Sequence, residues 1–315
     1  MNKKPTISFI IPAYNEENYL HDTLSKLHQF APNCPYEVII VDNGSTDKTR
    51  NIALSLSDKV LDFPDGHISA VRNHGVKHSA GEILVFLDAD VKLTKAWQEH
   101  IIQTVNNLKE SPLLITGSRC LPPQNSNSLN LHWFNLLVDN NSTTYINSGH
   151  LITSRLLFDK INGFNEGLRT AEDHDFCVRA SKNAATIKPV PALEVIHEGY
   201  PTTYRQFIKR ERWQGREDFK TLNSLLKSKI GLIACLHLLI TLFTVSFLVQ
   251  GDIINGVTSY LVTMSILMFA LTCYKFQKTQ TKSLVFSSFI HYLYIIGRTM
   301  ALIDRITFRY TNKFR

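Results

Sequence analysis

The sequence predicts an α/β fold with a Rossmann-like, mostly parallel sheet and flanking helices, followed by a C-terminal transmembrane helical hairpin. Three observations predict it. Short β-rich runs alternate with helix-period segments up to residue 117. Acidic and polar clusters directly follow three of those runs. Two segments of 21 and 22 residues near the C-terminus contain no Asp, Glu, Lys or Arg, which is long enough for helices that span a bilayer.

The predicted strands are five short, apolar runs. Between the first two, Tyr19, Leu20, Leu24 and Leu27 recur at the spacing of one helix face. Parallel strands need long crossover connections, and helices in these connections cover both faces of the sheet. The chain is therefore expected to repeat a strand–helix–strand unit. The runs are Ile7–Ile11, Glu37–Val41, Lys59–Leu61, Ile83–Leu87 and Leu113–Thr116.

Composition and charge limit the function classes. The 315-residue chain is 44% hydrophobic and 19% charged, which excludes disordered, collagen-like and disulfide-framework proteins. Eighteen basic and 22 acidic residues precede Tyr204, a net charge of −4, whereas 16 basic and 5 acidic residues lie from Tyr204 onward, a net charge of +11. Because the basic part also contains the long apolar runs, we expect it to meet an anionic membrane surface and not nucleic acid.

Two domains are expected, one over residues 1–220 and a membrane region over 221–315. Within the latter, residues 230–250 and 253–274 are predicted transmembrane helices joined by a two-residue turn. Basic residues flank the hairpin on both sides, which predicts that its two ends are cytoplasmic. The N-terminal domain is then cytoplasmic as well, on a multi-pass protein of the plasma or inner membrane.

A third apolar run covers residues 284–303, but it contains Arg298 and precedes a basic tail. If this run crossed the bilayer, the tail would lie on the outer side, against the usual distribution of basic residues. We therefore expect an interfacial or re-entrant helix, with a third span as the alternative. Five scattered cysteines without a CxxC pair indicate a reducing compartment.

Acidic residues at strand ends are the first candidates for chemistry. Asp88 and Asp90 directly follow the run Ile83–Leu87. Two carboxylates at this spacing can hold a hard divalent cation and leave positions for phosphate oxygens, although a DxD alone more often ends a strand and caps a helix. Asp42 ends the second strand, where an acidic side chain reaches a base or ribose in nucleotide-binding folds. The structural alternative is an Asx turn.

Two further residues are ambiguous when taken alone. Tyr14 follows the first strand and offers a face on which a base can stack, but it could equally belong to the core. Arg72 lies on a predicted helix and could place a cation near a diphosphate. A solvated helix residue is the alternative for Arg72.

Six motifs follow one another in a characteristic order and spacing. They are Ile11-Pro12-Ala13-Tyr14-Asn15-Glu16-Glu17, Val41-Asp42-Asn43-Gly44-Ser45-Thr46-Asp47, Ala70-Val71-Arg72-Asn73-His74-Gly75, Phe86-Leu87-Asp88-Ala89-Asp90, Asn162-Gly163-Phe164-Asn165-Glu166 and Glu172-Asp173-His174-Asp175-Phe176. This ordered set resembles the family 2 glycosyltransferases, which have the GT-A fold, over about residues 6 to 220. Six motifs in register are far more specific than any one of them.

The resemblance implies an enzyme that binds a nucleotide diphosphate sugar through a divalent cation, Mn²⁺ or Mg²⁺. Asp90, with Asp88 and His197, would hold the metal. Asp173, adjacent to Glu172, would be the general base. The alternative for Glu172 and Asp173 is that acidic residues are favoured at a helix N-terminus. The alternative for His197 is a structural histidine. The residues implied in nucleotide-sugar binding are Pro12, Tyr14, Glu16, Asp42, Arg72 and Asp88.

A basic segment before the hairpin, Lys209-Arg210-Glu211-Arg212-Trp213, resembles the Q/R-x-x-R-W motif of processive polysaccharide synthases. Lysine in the first position departs from that motif, and two predicted spans cannot enclose a secretion channel, so non-processive transfer is expected. Arg212 would meet the diphosphate and Trp213 the acceptor. The alternative is a juxtamembrane helix that binds lipid head groups.

The sequence therefore predicts an inverting, metal-dependent transfer of a sugar to a lipid-linked or membrane-proximal acceptor hydroxyl, in the synthesis of a cell-surface glycan or glycolipid. Charge that develops on the leaving diphosphate needs metal or cationic stabilisation, and the acceptor hydroxyl needs a carboxylate to take its proton. The alternative is a catalytically silent membrane scaffold that binds a glycan or nucleotide sugar. A nucleotidyltransferase would predict a glycine- and lysine-rich phosphate loop after Ile11, which the sequence lacks.

Overall fold

The computed structural model describes residues 4–123, 127–138, 145–168, 170–276 and 281–307. The chain divides into two compact units, Met1–Pro123 with Asn141–Gly199 and Gln124–Asn140 with Tyr200–Arg315. The domain boundary expected at residue 220 stays a prediction. Parts of the segment 118–145 and of the basic tail lie outside the described residues.

The first unit contains ten described strands in two sheets. Seven form the main sheet, in the order β3-β2-β1-β4-β8-β6-β9, and three form a small sheet in the order β5-β10-β7. The strands are β1 (Ile7–Ala13), β2 (Tyr36–Asp42), β3 (Lys59–Asp62), β4 (Ile83–Leu87), β5 (Val91–Leu93), β6 (Leu114–Gly117), β7 (Cys120–Leu121), β8 (His150–Ser154), β9 (Thr186–Ile187) and β10 (Val195–His197).

The main sheet is mostly parallel, as the sequence predicts. Strands β1, β2, β3 and β4 pair in parallel, and β6 pairs in parallel with β9. Strand β8 lies antiparallel between β4 and β6. All five predicted strands are present, with ends shifted by at most two residues. The sequence analysis missed β8, because a five-residue strand beside turn-rich segments has little periodicity.

Twelve α-helices are described. They are α1 (Leu20–Gln29), α2 (Thr49–Leu56), α3 (Ile68–Lys77), α4 (Lys95–Glu110), α5 (Asn135–Val138), α6 (Arg155–Lys160), α7 (Glu172–Lys182), α8 (Tyr204–Gln214), α9 (Leu222–Lys227), α10 (Lys229–Val249), α11 (Ile253–Lys275) and α12 (Thr281–Ile306). A π-helical turn, Asn130–Phe134, precedes α5, and a 3₁₀ turn, Glu217–Phe219, follows α8.

Both faces of the main sheet are buried, as a parallel sheet requires. Phe9 and Ile11 face one core, where Trp97 of α4 packs on Phe9, whereas Ile10 faces the core on the other side. Leu24 lies on the buried face of α1, but Tyr19 precedes that helix and is 37% exposed, so its predicted place on the buried face is wrong. Because both faces of the sheet are covered, the polar loops at the carboxyl ends of the strands are the place left for a ligand.

The second unit contains the apolar helices. α10, α11 and the segment Ser283–Ile306 are each long and apolar enough to cross a membrane. The predicted spans 230–250 and 253–274 coincide with α10 and α11 to within one residue, and Gly251 between them has a positive φ of 83°, which suits a tight turn at glycine. The predicted run 284–303 lies within α12.

Candidate active site

Backbone hydrogen bonds join the loops that follow β1 and β2. Asn15 adopts a left-handed conformation with a φ of 56°, which a short polar side chain tolerates. Its backbone N–H donates to Ser45 Oγ at 3.0 Å, and its side-chain Oδ1 accepts from the backbone N–H of Thr46 at 2.8 Å. The backbone N–H of Glu16 donates to Thr49 Oγ1 at 2.7 Å. These bonds bring the first two motifs together.

Asp42 is the last residue of β2 and pairs with Ala13 at the end of β1. It is 3% exposed, and its Oδ1 accepts from the backbone N–H of Ser45 at 3.1 Å. Asp42 therefore makes a local bond of the kind that the structural alternative expects, although to the N–H three residues on and not two as in an Asx turn. Pro12 lies buried within β1, and Tyr14 follows that strand as a half-buried residue. Their contacts with a nucleoside stay predictions.

Asp88, Asp90 and His197 form a candidate cation site. One ligand atom from each lies within 4.8 Å of the others. The backbone N–H of Val91 donates to the Asp88 carbonyl at 3.1 Å, which turns the chain so that both carboxylates serve one site. His197 Nε2 lies 3.3 Å from Asp90 Oδ1. The side chains are 31%, 15% and 21% exposed in that order, so each can reach a ligand.

The small sheet places the histidine. Strand β10 pairs antiparallel with β5, and His197 is opposite Val91, next to Asp90. The backbone N–H of Glu198 donates to the Asp90 carbonyl at 2.8 Å. A Cβ at Gly199 would overlap the Asp90 carboxylate, so glycine is needed for this close approach. Two carboxylates and an imidazole in this cradle fit a divalent cation such as Mn²⁺.

Glu16 lies in the negative field of this site. Its burial and the nearby charges of Asp90, Asp88 and Asp47 raise the pKa of the Glu16 carboxyl to about 8. Carboxylates that repel one another in this way favour a bound cation, which offsets the repulsion. Glu16 therefore lies with the acidic cluster, although sequence reasoning associates it with the nucleoside.

Arg72 connects the acidic cluster with the second acidic motif. It is 2% exposed, so the alternative of a solvated helix residue is wrong. Its Nη2 donates to Asp88 Oδ1 at 2.7 Å, and its Nη1 donates to Glu172 Oε1 at 2.8 Å. Ser148 Oγ donates to the same Glu172 oxygen at 3.0 Å. The partners of Arg72 in this structure are two carboxylates, and the contact of Arg72 with the nucleotide or phosphates stays a prediction.

Asp173 is the second residue of α7, which starts after Ala171, a residue with a φ of 59°. Asn147 Nδ2 donates to Asp173 Oδ2 at 3.0 Å, and the backbone N–H of His174 donates to Oδ1 at 2.7 Å. Burial, together with the neighbouring Glu172 charge, raises the pKa of Asp173 to about 6. A carboxylate with this pKa is ionised at neutral pH yet a better base than an exposed one.

Sequence reasoning missed the segment Asn147-Ser148-Gly149, which joins the two acidic motifs. Besides its bond to Asp173, Asn147 accepts from the backbone N–H of Gly149 at 2.8 Å. A Cβ at Gly149 would lie 2.8 Å from Asp88 Oδ2, so glycine leaves room for that carboxylate. The available signal was a turn-forming Asn-Ser-Gly directly before an apolar run.

The motif at Asn162–Glu166 supports the helix that carries Arg72. Asn73 donates from Nδ2 to the Phe164 carbonyl at 2.9 Å and accepts from the Phe164 N–H at 2.9 Å. Gly163 has a φ of 63°, and a Cβ there would lie 2.7 Å from Asn73 Oδ1. The fifth motif therefore acts on the site through α3.

The other predicted residues, Arg212 and Trp213, lie on α8 in the second unit. Arg212 donates from Nε and Nη2 to the two carboxylate oxygens of Asp304 at 2.7 and 2.6 Å. Trp213 is half-buried. Their predicted contacts with diphosphate and acceptor stay predictions.

Comparison with known proteins agrees with this geometry. Residues 8–152 match the family model described as "Glycosyl transferase family 2", which covers the loops after β1, β2 and β4. Residues 8–152, a little under half of the chain, therefore match a family 2 glycosyltransferase domain. Asp88 and Asp90 of the candidate cation site and the loops after β1 and β2 lie within the matched residues, whereas His197 and Asp173 lie beyond them.

Two relatives that match this part of the chain are named glycosyltransferases. An "uncharacterized glycosyltransferase" of Rickettsia typhi is 32% identical in an alignment of 188 positions that covers 54% of this chain and 57% of the relative. "Glycosyltransferase AglE" of Haloferax volcanii is 37% identical in an alignment of 110 positions that covers 32% of this chain and 36% of the relative. The chain thus matches little more than half of the first relative and about a third of the second.

A solved structure shares the fold. "Mannosyltransferase PcManGT" from Pyrobaculum calidifontis, solved in complex with GDP-Man and Mn²⁺, matches with a TM-score of 0.58 and 16% identity. The match covers 96% of this chain and 88% of that chain. The likeness confirms the predicted GT-A-type fold of this glycosyltransferase domain.

Proposed function

We propose that this chain is an inverting, metal-dependent glycosyltransferase that moves a sugar from a nucleotide diphosphate sugar to a lipid-linked or membrane-proximal hydroxyl, one sugar at a time. One observation carries the proposal. Arg72 is bonded to Asp88 of the acidic cluster and to Glu172, the residue before Asp173. Because of this link, a cation site and a carboxylate base belong to one site of the first unit.

The donor is proposed to bind at the ends of β1 and β2. Tyr14 is placed to stack on the base, and Asp42 to accept hydrogen bonds from the nucleoside. The mannosyltransferase that shares the fold was solved with GDP-Man and Mn²⁺, which supports a nucleotide sugar and a divalent cation here.

Asp88, Asp90 and His197 would hold the divalent cation, Mn²⁺ or Mg²⁺. A cation in this position neutralises the charge that develops on the departing diphosphate. Because its pKa is raised to about 8, Glu16 is mostly protonated at neutral pH when the cation is absent, and a bound cation would favour its ionised form. The expected order is therefore that the donor and cation bind together, since each offsets the charge of the other.

Asp173 is proposed to take the proton of the acceptor hydroxyl. The hydrogen bonds from Asn147 and from the His174 N–H hold its two oxygens in a defined orientation. Glu172 acts through Arg72 and Ser148 and serves as a positioning residue. One displacement, with the base and leaving group on opposite faces of the sugar, inverts the anomeric centre.

The membrane helices support a membrane-proximal acceptor. α10 and α11 are long and apolar enough to span a bilayer, and a soluble acceptor would not need a site that is held there. We propose a plasma or inner membrane location with the first unit on the cytoplasmic side, where nucleotide sugars are made. A basic segment before the hairpin and Lys275 at its end agree with this orientation.

The test uses the full chain in lipid nanodiscs with a panel of uridine and guanosine diphosphate sugars, with Mn²⁺, with Mg²⁺ or with chelator. Nucleoside diphosphate release and transfer of sugar into an added polyprenyl-phosphate or glycolipid fraction are measured, and NMR reports the anomeric configuration of the product. We expect one donor to be consumed only with metal, with inversion. Donor binding by thermal shift without any turnover over the whole panel would favour the silent scaffold.

A further inference from the structure

The C-terminal helix α12 carries two charges, Arg298 and Asp304, that are paired within the second unit. Arg298 donates from Nη2 to Glu211 Oε2 at 2.9 Å and from Nη1 to Asp218 Oδ2 at 3.1 Å. Asp304 accepts from Nε and Nη2 of Arg212 at 2.7 and 2.6 Å. Glu211 and Arg212 belong to α8, and Asp218 to the 3₁₀ turn after it. These two charges of α12 are thus neutralised by the polar segment before the hairpin.

α8 also packs closely along α12. The ring of Tyr204, the first residue of α8, lies 5.4 Å from the ring of Phe289, centroid to centroid. A Cβ at Gly297 would lie 2.9 Å from a backbone oxygen of α8. A Cβ at Gly215, which follows α8, would lie 3.0 Å from the Cβ of Ala301. Together with the ion pair between Arg212 and Asp304, these contacts extend along α12 from residue 289 to residue 304.

α8 is too polar for the hydrocarbon core, because five of its eleven residues are charged. The part of α12 that packs along it must therefore lie at the same depth, in the interface. Residues 281–288 are then the remainder of α12. At about 1.5 Å per residue, eight residues extend about 12 Å, less than half of the roughly 30 Å hydrocarbon thickness.

Two polar contacts between α12 and the hairpin agree with this placement, whereas a third, between the hydroxyls of Tyr292 and Tyr260 at 2.9 Å, reaches the other half of α11. Thr299 Oγ1 lies 2.8 Å from Nδ1 of His237, eight residues into α10, and His291 Nδ1 lies 3.0 Å from Oγ1 of Thr272, three residues before the end of α11. Both contacts lie in the half of the hairpin that bears Lys229 and Lys275. At the opposite tip the apolar side chains are exposed. These are Leu248, Val249, Ile253 and Ile254.

We infer that α8 and α12 form one layer in the membrane interface, so that among the described residues α10 and α11 are the two spans. α12 then lies across the base of the hairpin, although its composition alone would allow a third span. The chain returns to the side from which it entered, and residue 307 shares that side with α8. The inference does not depend on the proposed chemistry.

The first experiment measures sidedness in sealed membrane vesicles of known orientation. Three full-length variants each carry one short epitope tag, before residue 1, in the turn at Gly251, or after residue 315, and each is treated with an external protease. We expect the N- and C-terminal tags to share one accessibility and the tag at Gly251 the opposite one. A C-terminal tag that is protected or cut together with the tag at Gly251 would establish a third span and overturn the inference.

A second experiment tests the packing itself and does not depend on inserted tags. The pair Gly215→Cys and Ala301→Cys brings two thiols close to the Cβ separation that a disulfide needs. In membranes we expect rapid oxidative cross-linking of this pair. The control pair is Gly215→Cys with Ile303→Cys, because Ile303 is 41% exposed and lies on another face of α12. Equal cross-linking of both pairs, or of neither, would contradict the layer.

Discussion

Two buried arginines, one in each unit, hold two carboxylates in the same way, one per terminal nitrogen. In the first unit Arg72 bonds Asp88 and Glu172. In the second, Arg298 bonds Glu211 and an acidic residue of the 3₁₀ turn. The arginine side chains are 3% and 11% exposed, and removal of either would leave a largely buried carboxylate, Glu172 or Glu211, without its cationic partner.

The surroundings of the two groups differ. Asp88 is 31% exposed and lies within ligand distance of Asp90 and His197. Glu211, in contrast, is 5% exposed and joins α8 to α12. The same arrangement of charges therefore supports a candidate reaction site in one unit and helix packing in the other. The groups next to the ion pair, and not the pair itself, decide its use.

The largest effect is expected at the base. Asp173→Asn keeps the size of the side chain but removes its ability to take a proton, so transfer should fall by about 10² to 10⁴-fold. Donor and Mn²⁺ binding, followed by calorimetry on the same preparation, should stay within about twofold. Transfer at the wild-type rate would assign the base to another group.

The two arginines provide a matched pair of variants. Arg72→Met and Arg298→Met should each destabilise their unit by about 3 to 5 kcal/mol, since each breaks a buried ion group, and thermal unfolding in detergent measures this. Transfer assays then separate them. The Arg72 charge lowers the pKa of Asp173, so Arg72→Met should move the pH profile to higher pH, whereas Arg298→Met should leave it in place. The same shift of the pH profile in both variants would mean that Arg72 and Arg298 do not differ in their effect on the base.

A smaller effect is expected at the glycine next to the acidic cluster. The Cβ of Gly199→Ala would displace the Asp90 carboxylate, so we expect Mn²⁺ affinity, measured by calorimetry with the donor nucleotide, to fall about 10 to 100-fold, as for other changes that misorient a ligand. Gly167→Ala is the control, because its nearest contact is the Asn165 side chain at 3.3 Å. Unchanged affinity in Gly199→Ala would place the cation away from Asp90.

The smallest effect is the pH dependence of the wild type. The pKa of Asp173 is raised to about 6 by burial and by the Glu172 charge, and the base acts in its ionised form. Transfer should therefore fall about tenfold for each pH unit below about 6 and level off above it. Rates measured at saturating donor and metal from pH 4.5 to 8 test this. A rate that is flat down to pH 4.5 would point to a base with an ordinary carboxyl pKa.

Local patterns in the sequence predicted a large part of this molecule. The five strands and the hairpin follow from runs of apolar residues and the turn residues between them. The polar clusters at the ends of β1, β2 and β4 predicted one site, because the carboxyl ends of parallel strands meet at one edge of a sheet. The resemblance to family 2 glycosyltransferases rests on those same clusters, and the family model matches residues 8–152.

Residues distant in sequence decided the rest of the site. Arg72 and Glu172 are 100 positions apart, and their ion pair depends on how α3 and α7 pack on the sheet. His197 reaches Asp90 because β10 pairs with β5 in one register, and a shift of one residue would turn its side chain to the other face. The segment Asn147–Gly149 has a site role only because β8 lies antiparallel beside β4.

The sequence by itself determined the elements, the polar loops at the strand ends and two helices that can cross a bilayer, because strand and helix patterns and turn residues act over short stretches of chain. The tertiary structure decided the partners of the charged groups. It buried Arg72 between two carboxylates and paired the charges of α12 with α8, since the cost of a buried charge depends on the group beside it and not on its neighbours along the chain.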